Sequence, residues 1–107
     1  MRVAKRMHGP AQISNAAATK YTVPANRRGI VRHVHIQNPS GATVTFTMSI
    51  GNDAAGTRLF DAFGVGANQV LDHWCYYILE AAEIIQALAG TTNVLVLTID
   101  GDEDVLS

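Results

Sequence analysis

The sequence predicts an all-β fold: a single antiparallel β-sandwich, jelly-roll-like, of about seven to eight strands with an extended N-terminal arm. Three observations predict it. The stretch ATVTFTMSIG, residues 42–51, puts Ala42, Val44, Phe46, Met48 and Ile50 on one side and Thr43, Thr45, Thr47 and Ser49 on the other. That is the period of two of a half-buried strand. Other short β-branched segments follow at sandwich-like spacing, with turn residues between them. The only helix-favouring piece, EAAEIIQALAG, is short, lies between two strand patterns and ends at Gly90.

Taken in order, residues 1–18 read as the arm. Gly9, Pro10 and the AAAT run break any period, while Arg2, Lys5 and Arg6 keep the segment solvated. The sandwich domain is expected over residues 19–103. TKYTVPAN holds a strand that stops at Pro24, whose missing N–H suits a strand end. RGIVRHVHIQ and ATVTFTMSIG read as a hairpin about the turn NPSG, residues 38–41, because Pro39 and Gly41 favour a reversal there. GNDAAG is a loop, TRLFDAF a short strand and GVGAN another loop. NQVLDHWCYYILE is a longer strand, its Trp, Tyr and Cys arguing against helix. A tight turn at Glu80–Ala82 leads to a strand EIIQALA, TTNVLVLTIDG closes the domain, and residues 104–107 form an acidic C-terminal tail.

A chain of 107 residues is one domain. Only 16% of its residues are charged, against about 25% in an average protein. Such a surface is either covered in an oligomer or built of small residues. The last strand supports covering, since Val94 and Val96 are apolar on one face and Leu95, Leu97 and Ile99 on the other. A net charge of −1 gives no electrostatic case for nucleic acid or membrane binding. The single Cys75 excludes an internal disulfide and fits a reducing compartment. MRVAKRMHGPAQ lacks the apolar core of a secretory signal, and no apolar run approaches the ~20 residues of a membrane span.

Chemistry-bearing residues are sparse. His33 and His35 share one face of a strand and are the candidate metal pair, but a metal site needs a third and fourth ligand. IQNPSGA, which follows them, holds no acidic group, and His73 and Cys75 are the only reserves. No metal and no cofactor is therefore expected. Asp72 and His73 are adjacent on a strand, point to opposite faces and cannot work as an acid–base pair. Nucleophile-elbow, phosphate-loop and dinucleotide motifs are missing, and IDGDEDVLS lacks calcium-loop spacing. Arg27, Arg28 and Arg32, without interleaved aromatics, suit carboxylate partners better than nucleic acid. Trp74, Tyr76 and Tyr77 read as packing residues. No catalytic residue emerges, and the chain is read as a non-enzyme.

The order of segments is more informative. KYTVPANRRGIVRHVHIQNPSGATVTFTMSI resembles small virion structural proteins of tailed bacteriophages, in which a YTVPA strand and a basic turn lead into a strand ending N-x-S and then an A-x-V-T strand. ILEAAEIIQALAGTTNVLVLTIDGDE is similar to their closing pattern, with Gly101 and Glu103 in the final G-x-E. The likeness spans residues 20–103 and departs from the pattern at Glu80–Ala81–Ala82, where a Gly-Asp-like turn is expected. It implies a non-enzymatic structural protein, a capsid decoration (cement) protein that bridges and stabilises major capsid protein subunits. Its place would be the capsid surface of the virion, after synthesis in the host cytoplasm. Alternatives are a neck, tail or fibre-base component and a cupin-like small metal or ligand binder using His33 and His35. The partners expected are copies of itself, a trimer favoured, and the major capsid protein, with no nucleic acid, membrane or small-molecule substrate. Interface candidates are Arg2, Lys5, Arg6, Arg27, Arg28, Leu95, Leu97 and Ile99.

Overall fold

The computed structural model describes residues 1–106. Eight strands make up the fold: β1 (Arg2–Gln12), β2 (Ala18–Thr22), β3 (Arg27–Gln37), β4 (Val44–Ile50), β5 (Arg58–Val65), β6 (Val70–Leu79), β7 (Ile84–Ala89) and β8 (Val96–Val105). They form two four-stranded sheets, ordered β1-β8-β3-β6 and β2-β7-β4-β5. Antiparallel pairing is nested in sequence: β1 with β8, β2 with β7, β3 with β6 and β4 with β5. The chain therefore behaves as one long hairpin folded at residues 51–57. It is rolled so that β8 also meets β3 and β7 also meets β4. This is the jelly roll, and the sandwich predicted from the strand periods is the fold observed.

The core lies between the sheets. Val34 and Ile36 of β3 and Leu97 and Ile99 of β8 face Phe46 and Met48 of β4 and Ile85, Ala87 and Ala89 of β7, all nearly or fully buried. The inward phase read for Val44, Phe46 and Met48 is the phase found, and Ala42 lies exposed in the turn before the strand begins.

Five local expectations are corrected. The strands expected as a hairpin about NPSG, β3 and β4, lie in opposite sheets, so the turn is a crossover. Asn38, fully buried there, donates from Nδ2 to the carbonyls of Ala42 (2.8 Å), Val65 (2.9 Å) and Gly66 (3.2 Å) and accepts from Ser40. Crossing lets the apolar residues of both strands face one core, where side-by-side pairing would leave each without a lid.

Residues 2–12, expected as an arm, form an edge strand of the sandwich. The basic run RVAKR meets the acidic run of β8 in antiparallel register, Arg2 opposite Asp104, Ala4 opposite Asp102 and Arg6 opposite Asp100. Opposite charges across a ladder favour that pairing. Met7 and, just beyond the strand, Ile13 enter the core. Gly9 sits at φ +73°, and a Cβ there would stand 2.0 Å from the Leu97 carbonyl oxygen, so only glycine lets the two strands close. The expected acidic tail is in part strand as well, since Asp104 and Val105 belong to β8; Ser107 lies outside the described residues.

The hydroxylated side of β4 is only partly open. Thr47 and Ser49 are buried, because β5 bulges opposite them: Ala62 donates its N–H to Thr47 Oγ1 at 3.0 Å, and Ser49 Oγ donates to the Gly51 carbonyl. The two-faced last strand has one core face and one half-buried outer face. β8 lies inside its sheet between β1 and β3, with Leu97 and Ile99 on the core face and Val96 half-buried on the other.

Candidate functional site

β3 and β6 run side by side with His35 opposite Asp72 and His33 opposite Trp74. All four side chains fall on the outer face of the sheet, since Val34 and Ile36 between and beyond the histidines take the core side. Asp72 Oδ1 accepts from His35 Nδ1 at 2.6 Å and from His33 Nε2 at 2.9 Å. Because an ionised carboxylate only accepts, each histidine carries a proton on the nitrogen facing Asp72. The hydrogen bonds from His35 and then His33 hold the Asp72 carboxyl below its ordinary range. Trp74 lies flat on the His33 ring, 3.9 Å between centroids at 8°, and so fixes its orientation. Further along the same two strands, the Arg32 guanidinium stands over the Tyr76 ring at 5.7 Å.

This arrangement revises the metal argument drawn from sequence. The reserves named there, His73 and Cys75, point away from the pair. His73 packs edge-on against Phe60 of the other sheet and meets the Tyr77 hydroxyl at 3.0 Å. Cys75 points to the Val31 carbonyl, and burial pushes its thiol pKa up. The third group is Asp72, considered from sequence only beside His73. One ring nitrogen of His33, one of His35 and an Asp72 oxygen lie within 4.8 Å of one another. Nothing in the sequence alone marks this meeting, because Asp72 is 37 residues from His35 and only the β3–β6 register joins them.

The basic interface candidates largely find partners within the chain. Arg6 pairs with Asp100 at 2.8 Å and Arg28 with Glu80 at 3.2 Å, while Arg2 and Lys5 stand exposed along β1 beside the acidic strand. Arg27 reaches Glu103 at 2.7 Å. Leu95, Leu97 and Ile99 are fully buried in the sandwich core, so they present no interface.

Glu103 is a second cluster that sequence reasoning missed as chemistry. It is 1% exposed, accepts from Arg27 and from the Tyr21 hydroxyl, and thereby ties β8 and the start of β3 to β2 in the opposite sheet. Burial alone would push its carboxyl pKa up. The Tyr21 and Arg27 hydrogen bonds, with the charges of Lys5 and Arg27, outweigh that and hold it below the ordinary range. Gly101, two residues earlier, has no room for a side chain, since a Cβ would lie 2.0 Å from the Ile30 carbonyl oxygen. The residues that carried the sequence resemblance thus share structural work: Tyr21 of YTVPA bonds Glu103 of the closing G-x-E, and Asn38 and Ser40 of N-x-S build the crossover.

The outer surface has one further feature. Every second residue of β6 except Asp72 is a large exposed apolar group: Val70 (50% exposed), Trp74 (74%), Tyr76 (55%) and Ile78 (52%). Phe63 and Leu59 of β5 are exposed as well. β5 and β6 are the edge strands at the same side of the sandwich, packed across the core through Phe60 and His73.

No family model matches the chain, and no curated protein matches it. Among solved structures, a chain in the structure of infectious bursal disease virus, Gx strain, is similar over 96% of this chain, with a TM-score of 0.52 and 11% identity. This chain spans 31% of the length of that one. At so low an identity, what the two chains have in common is the β-sandwich fold.

Proposed function

We propose that the protein is a non-enzymatic virion structural protein, and within that class a capsid decoration (cement) protein of the tailed-phage kind. It self-associates, as a trimer in preference, and bridges major capsid protein subunits. The observation that carries this reading is the apolar stripe along β6. Four large exposed apolar side chains on one edge strand are an unusual load for an isolated small domain, and aromatic-rich patches of this sort mark contact surfaces. A second copy of the chain is the occupant proposed. The stripe's one carboxylate, Asp72, is already held by two histidines, so a neighbouring copy can cover the stripe without burying an unpartnered charge. The fold adds support from a different side, since the similar chain belongs to a virus structure.

The small-ligand alternative fits less well. The His33–His35–Asp72 group lies on an open sheet face, and no cavity opens among the described residues, whereas small-molecule sites are concave. Sedimentation at micromolar concentration tests the proposal. The wild-type chain is expected as a closed oligomer, and Trp74→Glu with Ile78→Glu as an 11.5 kDa monomer of unchanged far-UV circular dichroism. A wild-type monomer that also fails to bind purified capsids would overturn it. Copy number in particles then separates decoration, which follows the symmetry of the shell, from a neck, tail or fibre-base role, which follows that of a single ring.

A further inference from the structure

We propose that His33, His35 and Asp72 form a binding site for a divalent transition-metal ion of the Zn²⁺ class on the outer face of the β3–β6 pair. Two imidazoles and a carboxylate are a donor set that such ions favour, with a fourth position left open. The three donor atoms converge within 4.8 Å without any change of backbone. Their placement is fixed by strand register, not by a mobile loop: His33 and His35 are two apart on one strand and Asp72 is the direct cross-strand neighbour of His35. Trp74, flat against His33, removes much of that ring's rotational freedom, which lowers the entropy lost on ligation.

In the metal-free geometry the carboxylate stands closer to the two nitrogens than a shared ion would allow. Asp72 now stands 2.6 and 2.9 Å from the two nitrogens. Donors about a tetrahedral ion with ~2.0–2.1 Å bonds are separated by roughly 3.4 Å. The carboxylate must therefore draw back by about half an ångström or somewhat more, and its side chain is 49% exposed and free to do so. Each imidazole then carries its proton on the other ring nitrogen, turning its lone pair from a donated N–H into a ligand. The open position faces outward, available to water or to a donor from a neighbouring copy. The competing possibility is that the histidines serve only to hydrogen-bond Asp72. This inference does not depend on the virion reading.

Titration calorimetry of the full-length chain with ZnCl2 at neutral pH, after treatment with chelator, is the test, with Co²⁺ absorption reporting the geometry of the ion. One Zn²⁺ per chain is expected. Asp72→Asn and His35→Gln should each weaken binding at least about tenfold, since even outer-shell partners of a metal carry that much. Asp61→Asn, an exposed carboxylate of the other sheet, should not. Circular dichroism of each variant confirms the fold. If His35→Gln disturbs it, Asp72→Asn decides, because that carboxylate is exposed. Absence of saturable Zn²⁺ binding, or Asp72→Asn binding as tightly as wild type, would overturn the proposal.

Discussion

Two carboxylates of the same sheet, Glu103 and Asp72, have similar partners and opposite situations. Each accepts from two side chains, and each is held below its ordinary pKa by them. Glu103 faces the opposite sheet, 1% exposed, and its donors come from two other strands and both layers. Asp72 faces outward, and its donors come from the single neighbouring strand. The difference lies in what is lost when the carboxylate is removed. At Glu103 the Arg27 guanidinium and the Tyr21 hydroxyl lose a partner where water reaches poorly, so the cost falls on folding. At Asp72 water substitutes at once, so little stability rests on the group and its ligands are available for exchange. Donor count does not separate a structural node from a binding site; the face of the strand does.

The strongest way to break the comparison is to remove the strand that shields β8, on which Glu103 sits. Deleting residues 1–12 takes away β1, exposes the β8 edge, and removes Met7 from the core and Lys5 from beside Glu103. Loss of the cooperative thermal transition is expected. A truncated chain with wild-type circular dichroism and melting temperature would mean that residues 1–12 are a detachable arm after all.

Glu103→Gln comes next. Removing one partner of a buried ion pair costs about 3–5 kcal/mol, and the lower end applies here because the Arg27 side chain is 37% exposed. For a chain of this size that lowers the melting temperature by on the order of ten degrees. The pH dependence has a fixed sign. The folded-state pKa of Glu103 is depressed, so its stabilisation is present above the unfolded value near 4 and is lost as pH falls through the folded value. Wild type should therefore lose stability in acid more steeply than Glu103→Gln. Parallel acid curves for the two proteins would remove Glu103 from its place as the node between the sheets.

Local periodicity made much of the fold legible. The alternation in 42–50 placed Phe46 and Met48 inward, and turn residues marked the strands from β4 to β8. Long-range pairing was not legible, and the same cause explains each error. RVAKRM carries its apolar residues too sparsely to read as a strand, and its fit appears only with IDGDED opposite, nearly the whole chain away. NPSG has hairpin chemistry, but whether a turn reverses within a sheet or crosses between sheets depends on which strands compete for β3, and β6 and β8 both pair with it. Leu97 and Ile99 looked like a surplus face because the sequence does not say which face of β8 meets the other sheet. For the candidate site the histidine pair was legible from its i, i+2 spacing. Asp72 was not, since a cross-strand neighbour is a property of register. The charge network at Glu103 was visible only as a fragment of a motif.

The smallest effect tests the outward half of the comparison. Asp72→Asn keeps the size of the side chain and removes the charge that His33 and His35 face. The carboxylate is half-exposed, so the melting temperature at neutral pH should stay within experimental scatter of wild type. Its folded-state pKa is also depressed, which gives it the same sign as Glu103: any contribution exists above the unfolded value and disappears on acidification. The readout that should move is local. Trp74 is the sole tryptophan and lies against the His33 ring, so its fluorescence reports whether that imidazole is held in place. With Asn at position 72 the His33 ring loses its charged acceptor, leaves the stack for part of the time, and quenches Trp74 less. Brighter emission at an unchanged melting temperature is the expected pair of results. A melting temperature lowered as far as in Glu103→Gln would show instead that the outer cluster is a folding node and that the two carboxylates differ only in exposure.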